Sequence, residues 1–180
     1  MKTLTLLRHA KSGWDDSVAR DFDRPLNPRG RCAARTVGRE MRAQGLAFDS
    51  VLASPAVRVV ETLEEIGSGY GRVLDPRFDQ RLYLASTDTL LDLIREADDG
   101  VASLLLVGHN PGLELLVLLL TRHGGGELRE QAELKYPTAT LAELSLPVER
   151  WQDVREGAGT LSRFIRPRDL DPQLGPDEGT

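Results

Sequence analysis

The sequence predicts an α/β sandwich of three layers, in which a mostly parallel central sheet lies between helices. Three observations carry that prediction. Short apolar runs with little polar alternation, at residues 4–7, 48–53 and 101–107, have the pattern of strands buried on both faces. Each is followed by a helix-opening signature, Asn27-Pro28, Ser54-Pro55 or Asn110-Pro111, in which a capping side chain precedes a proline. No internal repeat or linker interrupts the alternation, and 180 residues suit one domain with a sizeable core.

In chain order, residues 4–7 form the first strand, and a polar loop over 11–24 follows with Gly13, Trp14 and the aspartates 15, 16, 21 and 23. Asn27 caps a helix that begins at Pro28 and runs through Met41 until Gly45 stops it. After the strand at 48–53, Ser54 caps a helix through Ile66, which the glycines at 67, 69 and 71 end. Residues 73–78 hold a short strand interrupted by Pro76. Ser86 or Thr87 caps a helix to Ala97, with Asp88 placed to meet the positive end of its dipole. The strand at 101–107 is the most apolar and therefore central. An apolar helix over 113–121 follows it, and His123 suits the negative end of that helix. Residues 123–126 then read as a flexible loop. Residues 139–146 alternate and 161–165 are again strand-like, which suggests antiparallel strands added near the end. Residues 1–166 make the domain. The stretch 167–180, rich in Pro, Asp and Gly, is expected to be a flexible tail.

Composition excludes several classes. Hydrophobic residues make up 40% and charged residues 28%, which rules out global disorder. The single cysteine, Cys32, cannot form an internal disulfide or a cysteine-based zinc site. Arg8-His9 comes too early for a signal peptide, and the apolar run at 113–120 contains Glu114 and is too short to span a bilayer. A cytoplasmic protein is expected, with no membrane partner. The net charge of −5, without a basic face, argues against nucleic acid.

With three histidines in the chain, each can be weighed by itself. Two of them stand at strand-to-helix junctions: Arg8-His9, and Gly108-His109-Asn110-Pro111. Ser54-Pro55-Ala56-Val57-Arg58 forms a third such junction. In open α/β sheets ligands bind beyond the carboxyl ends of the strands, so the three junctions should converge. Two arginines, two histidines and helix N-termini make a cleft suited to an oxyanion such as phosphate. Singly, each residue has a structural explanation: a bonded histidine, a surface arginine, a capping serine. Their shared placement favours the functional one. No metal-ligand pattern is present, and paired histidines beside arginines make a poor cation site.

At these residues the chain resembles the histidine phosphatase, or phosphoglycerate mutase-like, superfamily. The matching segments are Leu7-Arg8-His9-Ala10, Ser54-Pro55-Ala56-Val57-Arg58, Gly108-His109-Asn110-Pro111 and Pro25-Leu26-Asn27-Pro28-Arg29-Gly30. Arg8-His9-Ala10-Lys11-Ser12, Lys135-Tyr136-Pro137-Thr138-Ala139 and Phe164-Ile165-Arg166-Pro167-Arg168 are most similar to the small SixA-type phosphohistidine phosphatases. The resemblance implies a phosphoglycerate mutase-like fold without a large cap insertion and a phosphatase that needs no metal or cofactor. By the same resemblance His9 is the nucleophile. Arg8, Arg58 and His109, with Ser12 and Asn110, surround the phosphoryl group. Ala10 stands where the family commonly has glycine, and Asp15 where it has asparagine. Gln80, in Phe78-Asp79-Gln80-Arg81, stands where mutase-type members carry a glutamate acid.

The missing acid bears on substrate. An alkoxide needs a proton to leave, whereas an imidazole leaves readily once its ring is protonated, so an acid-poor site suits phosphohistidine on a partner protein. Asp21, Asp23 or Asp79 could still supply a proton. The alternatives are a phosphatase of small phosphorylated substrates and a non-catalytic phospho-binding module.

Overall fold

The computed structural model describes residues 1–14, 18, 20–124 and 126–176. Six strands form one sheet in the order β3-β2-β4-β1-β5-β6: β1 (Lys2–Arg8), β2 (Ser50–Ala53), β3 (Pro76–Phe78), β4 (Ser103–Gly108), β5 (Leu141–Leu146) and β6 (Thr160–Ile165). The first four in that spatial order are mutually parallel. β5 runs antiparallel to β1, and β6 antiparallel to β5. Pro76 opens edge strand β3, where a missing ladder donor is tolerated.

The period-two pleat divides the leucines of the central strands between two cores. Leu4 and Leu6 of β1 and Leu104 and Leu106 of β4 face α3 (Thr87–Arg95) and α4 (Gly112–Leu120). Leu7, Leu105 and Val107 face α1 (Pro28–Ala43) and α2 (Val57–Tyr70) on the other side. All seven side chains are at most 2% exposed, so each stabilises the fold by about 1.5–3 kcal/mol of apolar burial. This is the three-layer arrangement that the sequence predicts, with no large insertion over the sheet.

Several local expectations are corrected. α1 is capped by Asn27, whose side chain accepts from the Gly30 amide at 2.8 Å, and it ends before Gly45 at φ 65°, as expected. α2, in contrast, starts at Val57 with Ala56 as its cap, while the Ser54 hydroxyl accepts from the Ala56 amide at 3.3 Å and faces His109. It also runs through the glycines to Tyr70 and ends at the left-handed Gly71. Gly69 belongs inside it because a β-carbon there would stand 2.1 Å from the Arg35 carbonyl oxygen of α1; at Gly38 one would stand 2.3 Å from the Ile66 carbonyl oxygen of α2. The two helices pack too closely for side chains at these positions. Ser86, not Thr87, caps α3. Part of the segment after residue 126 is α5 (Glu127–Leu134), which lacks an apolar face in sequence and buries only Ala132.

The tail expected to be flexible is folded over residues 167–176. α6 (Pro167–Leu170) is held by Asp169, whose carboxylate accepts from the Arg166 backbone N–H at 3.0 Å and pairs with the Arg166 guanidinium at 2.8 Å, and Leu170 and Leu174 pack on the α1–α2 core. Arg29 of α1 donates to the Gly175 carbonyl. Residues 177–180 lie outside the described residues, as does Asp15. Among the described residues no helix is long and apolar enough to cross a membrane.

Candidate active site

The sheet order brings the three junctions together. β4 lies between β1 and β2, with Arg8 opposite Gly108 and Ala53 opposite Val107 in register. The residues just past those pairs are His9, His109 and Ser54. The backbone ladder continues into them, with His9 N–H donating to the Gly108 carbonyl at 3.1 Å and Ser54 N–H to the Val107 carbonyl at 3.1 Å.

Arg58, on the first turn of α2 and 3% exposed, joins the cluster. Its Nε donates to His9 Nε2 at 3.3 Å, and its Nη2 donates to His109 Nδ1 at 3.2 Å. Its Nη1 and Nη2 also donate to the backbone oxygen and Oδ2 of Asp21, at 2.8 and 3.1 Å. Since a guanidinium only donates, the bonded nitrogen of each imidazole must present a lone pair. His9 Nδ1 then carries the hydrogen and donates to the Ala10 carbonyl at 2.7 Å. His109 Nε2 carries its hydrogen and donates to Ser54 Oγ at 2.8 Å. Both tautomers follow from these hydrogen-bond partners.

The environment keeps both rings neutral. Burial, reinforced by the charges of Arg58, Arg8 and Arg24, lowers His9 from 6.5 to about 4, against a smaller opposing effect of the Ala10 carbonyl. Burial together with the neighbouring His9 and Arg58 lowers His109 to about 3. The two ring centroids lie 5.3 Å apart, and Tyr83 meets His109 edge-on at 5.4 Å.

Of the three candidate acids, only Asp21 adjoins the histidines through Arg58. Tyr83 Oη donates to it at 2.6 Å and Arg24 Nη1 at 2.9 Å, and these bonds with the Arg58 pair hold its carboxyl down at about 2. It is an ionised anchor for Arg58 and a poor proton donor. Asp23 pairs with Arg20 at 2.8 Å, and Asp79 pairs with Arg81 at 2.8 Å while accepting from the Arg81 amide. Gln80 is exposed.

Arg8 donates through Nη1 to the Tyr136 carbonyl at 2.9 Å, and its buried Nε finds no protein partner among the described residues. Asn110 Nδ2 donates to the same carbonyl at 3.1 Å and to Glu114 at 3.1 Å, so it fixes the wall beside Arg8. Ser12 accepts from Arg24 at 2.7 Å and is tied to the loop rather than to the histidines. His123 lies just beyond the C-terminal end of α4 and takes no part. Among the described residues no cluster of His, Cys, Asp or Glu could hold a metal.

Sequence reasoning missed Arg24 and Tyr83, because nothing local distinguishes one loop arginine or one tyrosine from the others. It also misjudged Ser54, whose position before proline is that of a helix cap but whose hydroxyl, fully buried, serves His109. Thr62 was likewise unmarked; its hydroxyl accepts from the Ala10 amide at 2.9 Å and donates to the Arg58 carbonyl at 2.6 Å, linking the β1 junction to α2.

An α/β sandwich that sets an arginine fork between two neutral histidines at the carboxyl ends of its strands is the arrangement suited to a phosphoryl group, and the comparisons give its family. The model for the histidine phosphatase superfamily (branch 1) matches residues 4–83, and the chain belongs to that superfamily. Within it the chain is of the SixA-like type. It is 37% identical over 164 residues to an uncharacterized protein of Mycobacterium tuberculosis, covering 90% of this chain and 100% of the relative. It is 29% identical over 114 residues to the phosphohistidine phosphatase SixA of Escherichia coli, covering 62% and 70%. A solved structure from Nakamurella multipartitia, described as a candidate phosphohistidine phosphatase SixA, superposes with TM-score 0.79 at 30% identity, covering 92% of this chain and 96% of that one. Together these support phosphatase activity.

Proposed function

We propose that the chain hydrolyses phosphohistidine on a partner protein, with His9 Nε2 as the nucleophile. The observation that carries this reading is the fixed tautomer of His9: Nδ1–H is bonded to the Ala10 carbonyl, which leaves the Nε2 lone pair facing Arg58. When a phosphoryl oxygen takes over the Arg58 N–H groups, Nε2 is released to attack phosphorus. Arg8, Arg58 and His109 then carry the charge on the equatorial oxygens.

The attack forms the Nε2–P bond and breaks the N–P bond to the substrate imidazole. That ring leaves as a neutral imidazole if its other nitrogen already bears a proton from solvent. Water next attacks the phosphorus on His9, and the bond to Nε2 breaks, giving inorganic phosphate. His9 leaves in the same way, because Nδ1 still holds its hydrogen against Ala10. Both steps therefore expel an imidazole, and neither needs a strong acid. An ionised Asp21 and the outward pairing of Asp23 and Asp79 are consistent with that economy of proton donors.

Rapid mixing with a phosphoprotein labelled on histidine tests the reading. Acid-labile label should appear on the enzyme and be absent in His9→Ala. Steady-state rates on phosphohistidine protein should exceed those on alkyl phosphates, and a marked preference for alkyl phosphates would overturn the substrate assignment.

A further inference from the structure

A second basic feature shares Arg8 with the histidine cluster but has neither His9 nor His109 in its lining. A cavity of about 290 Å³ is lined by Arg8, Lys11, Arg29, Lys135 and Arg168, and among its described lining residues none is acidic. Such a run of one sign is unexpected on a chain of net charge −5.

Its cations come from four separate places in the fold. Arg8 ends β1 and Lys11 lies just after it, Arg29 is on the first turn of α1, Lys135 caps the C-terminus of α5 and Arg168 is on α6. Because α6 and the Gly175 segment are folded against α1, they form one wall of the trough. Cations drawn from four elements around one open cavity suit an extended anionic chain, which can meet several of them in turn. Lys11 and Lys135 are exposed, so the trough is open to such a chain. Arg8 both lines it and adjoins His9, so a chain seated there leads directly to the nucleophile.

We propose that this trough is a docking site for an acidic polypeptide segment flanking the phosphorylated residue of the substrate protein. The proposal rests on the phosphohistidine reading above. Electrostatic complementarity of this kind governs encounter and partner choice and weakens with salt.

The test uses the full chain and two phosphohistidine peptides of equal length, one flanked by Glu and Asp and the other by Ser and Ala. Wild type should show a KM about tenfold lower for the acidic peptide, a preference that shrinks with added salt. In Lys135→Glu/Arg168→Glu, and to a smaller extent in Lys135→Glu alone, that preference should disappear. Turnover of p-nitrophenyl phosphate should stay unchanged in both variants, which also reports that they fold. Equal KM values in wild type, or a preference that survives charge reversal, would overturn the proposal.

If p-nitrophenyl phosphate is hydrolysed but neither peptide is, the phosphohistidine reading fails separately. Fluorescence anisotropy of the labelled acidic peptide then decides the trough: saturable, salt-sensitive binding lost in the double variant supports it, and absence of binding overturns it. A nucleoside diphosphate forms a further arm. A KM raised for that compound by charge reversal, with the acidic peptide unaffected, would assign the trough to a second phosphate and overturn the proposal.

Discussion

Lowering the pH from 7 to 5 protonates almost all of an ordinary imidazole, yet should leave His9 largely able to attack. With its pKa held near 4 instead of 6.5, its neutral fraction at pH 5 is about 90% against about 3%, a difference of about thirtyfold. The profile of kcat/KM, corrected for the ionisation of the substrate, should therefore keep a plateau down to about pH 5 and fall only near pH 4. The same shift has a stability counterpart with a definite sign. Above pH 6.5 neither folded nor unfolded chain protonates this ring. Between 6.5 and about 4 only the unfolded chain does, so the native state loses stability as the pH falls, by about 3 kcal/mol in total. His9 is 8% exposed, so solvent screening is small. His9→Asn should flatten that part of the pH–stability curve in urea unfolding. An acid limb at pH 6 or above, or a His9→Asn curve parallel to wild type, would refute the argument that burial and three arginines hold the ring neutral.

Two further outcomes follow from contacts around the site. Tyr83→Phe removes the 2.6 Å bond that does most to keep Asp21 ionised, and should cost about 1 kcal/mol at pH 7 because the carboxylate is partly solvated. A carboxyl with a lowered pKa contributes above its unfolded value, so the difference from wild type should shrink as the pH falls from 3.8 through about 2. Gly69→Ala should destabilise the fold by about 1–3 kcal/mol despite alanine's better helix propensity, because its β-carbon would meet the Arg35 carbonyl at 2.1 Å. A lower urea midpoint at unchanged slope checks it, and a gain in stability would contradict the close α1–α2 packing.

The sequence announced the junctions better than it announced the ends of the helices. Leu4, Leu6, Leu104 and Leu106 mark buried parallel strands by composition alone, and parallel strands must present their carboxyl ends together. That is why the sequence alone groups His9, His109 and Arg58. Helix boundaries at Gly67 and Gly69 misled because a glycine that breaks an isolated helix also permits two helices to touch. α5 was illegible because a mostly polar octapeptide with one buried alanine has no stripe to detect. Asp21, Asp23 and Asp79 were indistinguishable for a different reason. Asp21 is set apart by its bond to Tyr83, 62 residues away, which no local pattern encodes, whereas the local pairs of Asp23 with Arg20 and of Asp79 with Arg81 do not by themselves say which carboxylate reaches the histidines. The order at 167–176 likewise depends on Leu170 and Leu174 finding the α1–α2 core, which a Pro-rich composition does not reveal.

Arg58 already has three clients: His9, His109 and Asp21. An arriving anion must outcompete them, so occupancy is an exchange of partners rather than the filling of a void. A monoanion gains little from that exchange, since it offers Arg58 no more charge than the carboxylate it displaces. A dianionic phosphoryl group, with three equatorial oxygens, can take several donors at once and free His9 in the same event. In the proposed mechanism this exchange disfavours chloride and carboxylates by the cost of entry, and couples admission of a phosphoryl group to release of His9 Nε2.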